Sequence, residues 1–320
     1  MNLQTIIQLQ PNQHHQIDYN SKVLLLGSCF SEHIGETFEY FKFQNLQNPF
    51  GILFHPLAIE NVIINAINEK TYTSEDVFFH NEQWHCFDAH SRLSTTSESE
   101  LLQNLNSKIK STHQFLKEAS HVIMTLGTAW AYRSKASNVF VANCHKIPQK
   151  QFSKELLSVE KIKGSLRTMI DLVKSVNPKV RFIFTISPVR HIKDGFIENT
   201  RSKSHLIAAI HEMIDQDSSL SLQETYFPSF EIMMDELRDY RFYSDDMLHP
   251  NSTAVKYIWE RFRHVWISDA AQTTMKDVDV IQKGLAHRPF NPSSEVHKAF
   301  LRQLKLQETS LKSRFSHIQF

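Results

Sequence analysis

Three short, unbroken apolar runs constrain what this 320-residue chain can fold into. They span residues 23–26, 121–126 and 180–186, and each runs into a small or turn-forming pair: Gly27-Ser28, Gly127-Thr128 and Ser187-Pro188. Runs of that length without polar alternation fit strands covered on both faces, as in a parallel sheet. Helical patterns separate them, at residues 56–69, 97–117, 153–176, 199–216 and 251–267. Strands alternating with helices predict an α/β fold with a doubly wound parallel sheet. Ligands bind such sheets at the carboxyl ends of the strands, where Ser28, Cys29, Thr128 and Ser187 would stand. Residues 77–87, with aromatics around Asn81-Glu82, read as a hairpin inserted into this domain.

The formal charge of +1 gives no case for nucleic acid or a membrane surface as partner. Residues 1–21 are rich in Gln and Asn and lack the basic-then-apolar pattern of a signal peptide. No run approaches the roughly 18 apolar residues of a membrane helix. Three cysteines without metal-ligand spacing fit a reduced compartment, so a cytoplasmic protein is expected. The chain divides into an N-terminal segment (1–20), an α/β domain (20–268) and a helical extension (269–320). The extension begins where the composition changes, contains the Pro289 and Pro292 linker, and is a candidate for homo-oligomer contacts.

Two constellations carry chemistry. Asp246-Met247-Leu248-His249 places a carboxylate three residues before a histidine, so one turn can hold a general base and the group that fixes its tautomer. Gly27-Ser28-Cys29-Phe30-Ser31 follows the first apolar run and offers three nucleophiles at a helix start, where backbone N–H groups and the helix dipole favour a developing oxyanion. The plainer alternative there is Ser31 as N-cap and Cys29 as a small buried residue. His80, His85 and His90, the adjacent Cys144 and His145, and His191 with Asp194 lack the tight spacing of a metal site. Neither a metal nor a cofactor is expected. Arg241, among alternating acids and aromatics before the Asp-x-x-His turn, is either part of an ion-paired scaffold or a guanidinium for a substrate carboxylate or phosphate. Lys146, His191 and Lys203 could add to the same positive pocket.

Beyond these residues the chain resembles the GSCFA family. Gly27-Ser28-Cys29-Phe30 matches its naming motif, with Ser31 in place of the last alanine. The similarity continues through residues 48–56, 126–130, 143–148, 187–195 and 226–250, and so covers about residues 20–260. The family is similar to SGNH hydrolases, which implies a flavodoxin-like three-layer α/β/α sandwich and ester chemistry. Carried over by position, the resemblance implies Cys29 as nucleophile with Ser28 in the aspartate place of the first block, and Gly51 as the oxyanion glycine. It implies His249 and Asp246 as the last block. The third block falls on Gly127-Thr128-Ala129-Trp130, without its asparagine; Asn143 could supply an amide from another loop. Thr128, Asn143, His145 and His191 complete the candidate substrate pocket.

Two functions remain open at this point. One is hydrolysis or transfer of an acyl ester, on a small-molecule or glycan substrate, through a nucleophile–His–Asp triad. Position favours Cys29 as its nucleophile, and the serine precedent of the fold favours Ser28. The other is a catalytically divergent SGNH fold acting as a binding module, which the missing asparagine supports.

Overall fold

The computed structural model describes residues 5–220 and 225–320. In chain order its elements are β1 (Lys22–Gly27), α1 (Cys29–Tyr40), β2 (Gln44–Gln47), α2 (Pro56–Ile67), β3 (Val77–His80), β4 (Gln83–Cys86), α3 (Glu98–Glu118) and β5 (His121–Leu126). There follow β6 (Trp130–Ser134), β7 (Phe140–Val141), β8 (Phe152–Leu156), α4 (Val159–Val176), β9 (Arg181–Ile186), α5 (Phe196–Asp215), β10 (Tyr226–Phe227), α6 (Ser252–Trp266), α7 (Asp269–Ala286) and α8 (Glu295–Arg314).

The main sheet is parallel throughout, in the order β10-β9-β5-β1-β2. Numbered along the chain, its five strands run 2-1-3-4-5, the flavodoxin-like order, and the order reverses between β1 and β5. Side chains alternate across the sheet with period two. Leu24, Leu26, Val122, Met124, Phe182 and Phe184 face one core, covered by α2 to α5. Val23, Leu25, Ile123 and Ile183 face a second core, built with α1, α6 and α7. The fold is therefore a three-layer α/β/α sandwich. Burial on both faces explains why the central strands read as continuous apolar runs.

β2, with sequence Gln-Asn-Leu-Gln, forms the half-buried edge, where polar residues discourage further pairing. The hairpin expected at 77–87 is the antiparallel pair β3–β4. The helix expected to start at residue 153 begins later. Residues 152–156 pair antiparallel with β6 in a small three-stranded sheet, and Ser158 then caps α4 by accepting the Lys161 N–H. Ser31 is not the cap of α1: the helix starts at Cys29, and Ser31 lies buried within its first turn.

Residues 269–286 do not leave the core. Met275, Val278 and Ile281 of α7 pack into the second core beside Trp266, and Leu304 and Leu311 of α8 close over them. The proline-containing segment expected as a linker connects α7 to α8. At the other end, Ile17 bridges Ile267, and Tyr19 lies 5.0 Å, ring centre to ring centre, from Phe315.

Candidate active site

The crevice at the order reversal lies between the ends of β1 and β5, and the Gly27–Cys29 turn occupies it. Gly27 has φ +136°, and a Cβ there would stand 2.1 Å from the Thr125 carbonyl oxygen. No side chain fits, so the close strand approach requires glycine. The Gly27 N–H donates to Asn48 Oδ1 at 2.9 Å, and its carbonyl accepts from Leu53 N–H at 2.9 Å. The Ser28 N–H donates to the Thr125 carbonyl at 3.0 Å. Ser28 holds the N-cap position of α1 without capping it; its Oγ is fully buried and has no partner. Cys29 follows as the first helical residue, half-buried against the second core. Burial pushes its thiol above the ordinary value, and the Glu32 carboxylate adds to that; the N–H groups of Phe30 and of Cys29 itself, and Lys203, pull the other way.

The Asp246–His249 turn is held together by its own hydrogen bonds. Asp246 Oδ1 accepts the N–H groups of Leu248 at 2.9 Å and His249 at 3.0 Å, and Oδ2 lies 2.6 Å from His249 Nδ1. The two backbone donors first, and then the imidazole, hold the Asp246 carboxyl at about 2, so it is ionised in any working buffer. An ionised carboxylate at Nδ1 assigns the proton of neutral imidazole to that nitrogen and leaves the lone pair on Nε2. The turn docks on the loop after β9, where Arg190 N–H reaches the Leu248 carbonyl at 3.3 Å. His249 makes no hydrogen bond to Ser28 or Cys29 among the described residues.

His191 follows Arg190 on that docked loop. Its imidazole is pushed down to about 3, by burial first and then by Lys203 and His249, and its buried Nε2 has no partner. Gly127 makes room for it: a Cβ at residue 127 would meet the Phe54 carbonyl at 3.1 Å, His191 Nε2 at 3.3 Å and Ser28 Cβ at 3.4 Å. Below this point lies Lys203, whose Nζ donates to the carbonyls of Gly127 and Ser187, each at 2.7 Å.

A cavity of about 430 Å³ opens beside His191 and gathers Thr128, Asn143, His145 and His191, four of the six pocket residues expected from sequence. Thr128 Oγ1 is engaged with Ser202 Oγ at 2.9 Å, and Asn143 Oδ1 accepts the His145 N–H at 2.8 Å. Burial drives His145 down to about 4, so it is neutral, and its Nε2 lies 2.8 Å from the Cys86 carbonyl. His249 lies elsewhere, on the rim of a second cavity of about 700 Å³ that it shares with His33, Tyr40, Trp259 and Lys283. The remaining two candidates do not join either group. The Gly51 N–H is spent on the Asn48 carbonyl at 2.7 Å, in a turn packed on His90, and Arg241 points outward to pair with Asp239 at 2.9 Å. No group of three or more His, Cys, Asp or Glu among the described residues is placed to hold a metal ion, and none of the described helices is long and apolar enough to cross a membrane.

Sequence reasoning missed the part played by Asn48, and it placed Lys203 on a pocket surface. A signal for Lys203 existed. Asn199, Ser202, Lys203, Leu206 and Ile210 follow the i, i+3, i+4 rhythm of a buried helix face.

Comparison with known proteins gives two family matches. The model of the GSCFA family matches residues 22–262, and that of the GSCFA domain protein, C-terminal domain, matches residues 278–320. Among solved structures, the chain is similar to an acetyl esterase mutant crystallised with acetate ion, at 11% identity and TM-score 0.35, covering 81% of this chain and 99% of that one. It is similar to a carbohydrate esterase family 3 protein from Talaromyces cellulolyticus at 11% identity and TM-score 0.35, covering 80% and 99%. No curated protein matches.

Proposed function

The chain belongs to the GSCFA family over residues 22–262, and from that premise we propose that it hydrolyses or transfers an acyl group of a small-molecule or glycan ester, with Cys29 as nucleophile, His249 as base and Asp246 as its orienting carboxylate. One observation carries the reading. Asp246 is ionised and triply hydrogen-bonded, with Oδ2 2.6 Å from His249 Nδ1, an arrangement that makes Nε2 a proton acceptor and stabilises the imidazolium once formed.

In the proposed cycle, the Cys29 thiol proton passes to His249 Nε2 as the sulfur attacks the ester carbonyl carbon. The carbonyl oxygen becomes an oxyanion beside the first turn of α1, where the helix dipole favours the charge. As the C–O bond breaks, the leaving alcohol takes the proton from the imidazolium, and the acyl group stays on sulfur as a thioester. Water then attacks the thioester with His249 again as base, releasing the acid and restoring the thiol. An alcohol in place of water gives transfer. Substrate has to bring His249 and Cys29 together, since no hydrogen bond joins them beforehand; catalytic contacts that tighten only in the complex are common.

The alternative, a binding module of the same fold, is favoured by that open gap and by the raised Cys29 thiol. A panel of acyl-nitrophenyl esters and thioesters, with an iodoacetamide probe, separates the two. The wild type is expected to turn over at least one ester, Cys29→Ala to lose turnover and labelling at that position, and Ser28→Ala to retain part of the activity. Turnover surviving Cys29→Ala but abolished by Ser28→Ala moves the nucleophile to the hydroxyl. A wild type inert on every ester and thioester favours the binding module.

A further inference from the structure

The cavity beside His191 carries more positive charge than its walls neutralise. Three lysines line it, Lys146, Lys154 and Lys193, against a single carboxylate, Asp194. That carboxylate is already taken. It forms an ion pair with Lys154, whose Nζ also lies over the rings of Trp130 and Tyr132, 4.8 and 5.6 Å from their centres. The small sheet builds this arrangement in, because Tyr132 of β6 stands opposite Lys154 of β8 in register. The histidines of the walls add no charge at neutral pH, since burial holds His55 and His145 down to about 4 and His191 to about 3. Lys146 and Lys193 are left over, exposed on the loops before β8 and after β9, and no carboxylate among the described residues pairs with either. Two unneutralised ammonium groups lining one cavity attract an anion and turn away a cation.

The loop that presents Lys146 is held in a costly shape. His145 and Lys146 have φ 48° and 61°, in the left-handed region that residues with a Cβ occupy reluctantly. Asn143 Oδ1 on the His145 N–H, the Cys144 carbonyl on the Ile147 N–H at 2.9 Å, and the anchoring of His145 against Cys86 fix that shape. Strain of this kind persists where its surroundings over-determine it, and it collects at ligand sites. The cavity also adjoins the crest. Phe54 and His191 line it, and both meet the Gly127 α-carbon on the side that Ser28 shares, where the buried His191 Nε2 has no partner.

We propose that this cavity binds an anionic part of the substrate: the ester carries a carboxylate or a phosphate, which Lys146 and Lys193 hold by charge-assisted hydrogen bonds while the acyl group lies at the Ser28–Cys29 crest. The placing of the acyl group rests on the esterase reading. The anion site does not.

Cys144 lines the same cavity and serves as the reporter. Iodoacetate and iodoacetamide alkylate a thiolate by the same displacement of iodide and differ in the charge of the reagent. Burial pushes the Cys144 thiol up to about 11, so labelling is followed near about pH 9, where ordinary lysine side chains are still charged. Peptide mapping separates Cys144 from Cys29 and Cys86. The quantity read is the ratio of the two rates at Cys144, in which any change in the thiol itself cancels. Lys146→Gln combined with Lys193→Gln is expected to lower that ratio about tenfold, and the corresponding pair of arginine substitutions to keep it. Raising the salt concentration should lower it in the wild type as well, because exposed charges are screened. A ratio that ignores both the lysines and salt overturns the proposal. Protection of Cys144 from iodoacetamide then distinguishes the anions, with galacturonate for a carboxylate, glucose 6-phosphate for a phosphate and glucose as the neutral control. Protection by either acid that is lost in the double glutamine variant supports the site; protection by none, or equally by glucose, overturns it. Neither measurement needs turnover. An inert protein with a charge-dependent ratio removes the esterase and keeps the anion site, whereas turnover that depends on Cys29 beside an indifferent ratio removes the anion site alone.

Discussion

Hydrogen bonds among residues 244–249, with one more from the Arg190 N–H, hold the Asp246–His249 pair in place, whereas the Ser28–Cys29 turn takes its shape from three other parts of the chain. Thr125 on β5 receives the Ser28 N–H, Asn48 after β2 receives the Gly27 N–H, and Lys203 on α5 fixes the carbonyl of Gly127 alongside. A self-contained turn keeps its geometry when distant packing changes. A crest assembled from several strand ends fails when any of its supports loosens. The comparison teaches where each half is vulnerable: the first to substitutions within the turn, the second to pH and to core packing far away.

The largest effect should come from the turn. His249→Ala removes base and acid together and is expected to lower turnover by about three orders of magnitude or more. Asp246→Asn keeps the shape of the residue but loses the charge that sets the tautomer, so it should cost less than His249→Ala and still be severe, about a hundredfold or more. Neither change should move the melting temperature by more than a few degrees, since both side chains are exposed and their bonds local. Kinetics on whichever ester is turned over, beside thermal melts, check both parts. A large loss of stability would mean that the turn supports the crest, and the comparison would break.

pH should separate the halves next. Burial pushes His55, His121 and His145 down to about 4 and His191 to about 3, all from an ordinary 6.5. The unfolded chain takes up these protons near 6.5, while the folded chain refuses them until about 4. Between those values the unfolded state binds more protons, so stability falls as pH drops through that window. With up to about 1.4 kcal/mol per group and pH unit, the summed loss between pH 7 and 5 should reach several kcal/mol. Urea midpoints at the two pH values measure it. Asp246, held at about 2, stays ionised throughout and contributes nothing in this window. Equal midpoints would mean that these histidines are solvated in solution.

The same division decides what could be read from the chain. β1, β5 and β9 were legible because burial on both faces leaves no polar alternation to confuse them. The Asp-x-x-His turn was legible because its chemistry closes over four residues. β2 was not, because a polar edge strand has the composition of a loop, and β8 was absorbed into the helix that follows it. The family resemblance implied Gly51 as an oxyanion donor, but its N–H is consumed in a turn. Which of Thr128, Asn143, His145 and His191 share a cavity depends on how the small β6–β8 sheet folds over the crest, and no local pattern encodes that.

A smaller effect is expected from the distant support of the nucleophile. α1 rests on the second core, where Phe38 stacks edge-on against Trp259 at 5.2 Å, and α7 seals that core with Ile281, 1% exposed. Ile281→Ala should cost about 2–5 kcal/mol by leaving a cavity, and deletion of residues 270–320 should cost more. Chemical denaturation measures the first, and solubility with a cooperative melt the second. A truncated chain that melts as the full one does would restore the extension as an appendage and uncouple it from α1.

Arg241 should give the smallest change, and it tests the turn from its outer side. Its guanidinium is exposed and paired with Asp239 at 2.9 Å; that partner holds it above its ordinary value, and it in turn lowers the Asp239 carboxyl. Ion pairs so exposed contribute little to stability, because water screens them and two long side chains must be ordered. What ties this residue to the turn is its backbone, whose carbonyl accepts from Asn251 Nδ2 at 2.7 Å, and a side-chain substitution leaves that bond in place. Arg241→Ala is therefore expected to change the unfolding free energy by less than about 0.5 kcal/mol and kcat by less than about twofold. The informative quantity is KM. If it stays put, the arginine belongs to a solvated scaffold. If it rises tenfold or more with kcat unchanged, the guanidinium has swung from Asp239 to a carboxylate or phosphate on the substrate, and the locally built turn also binds it.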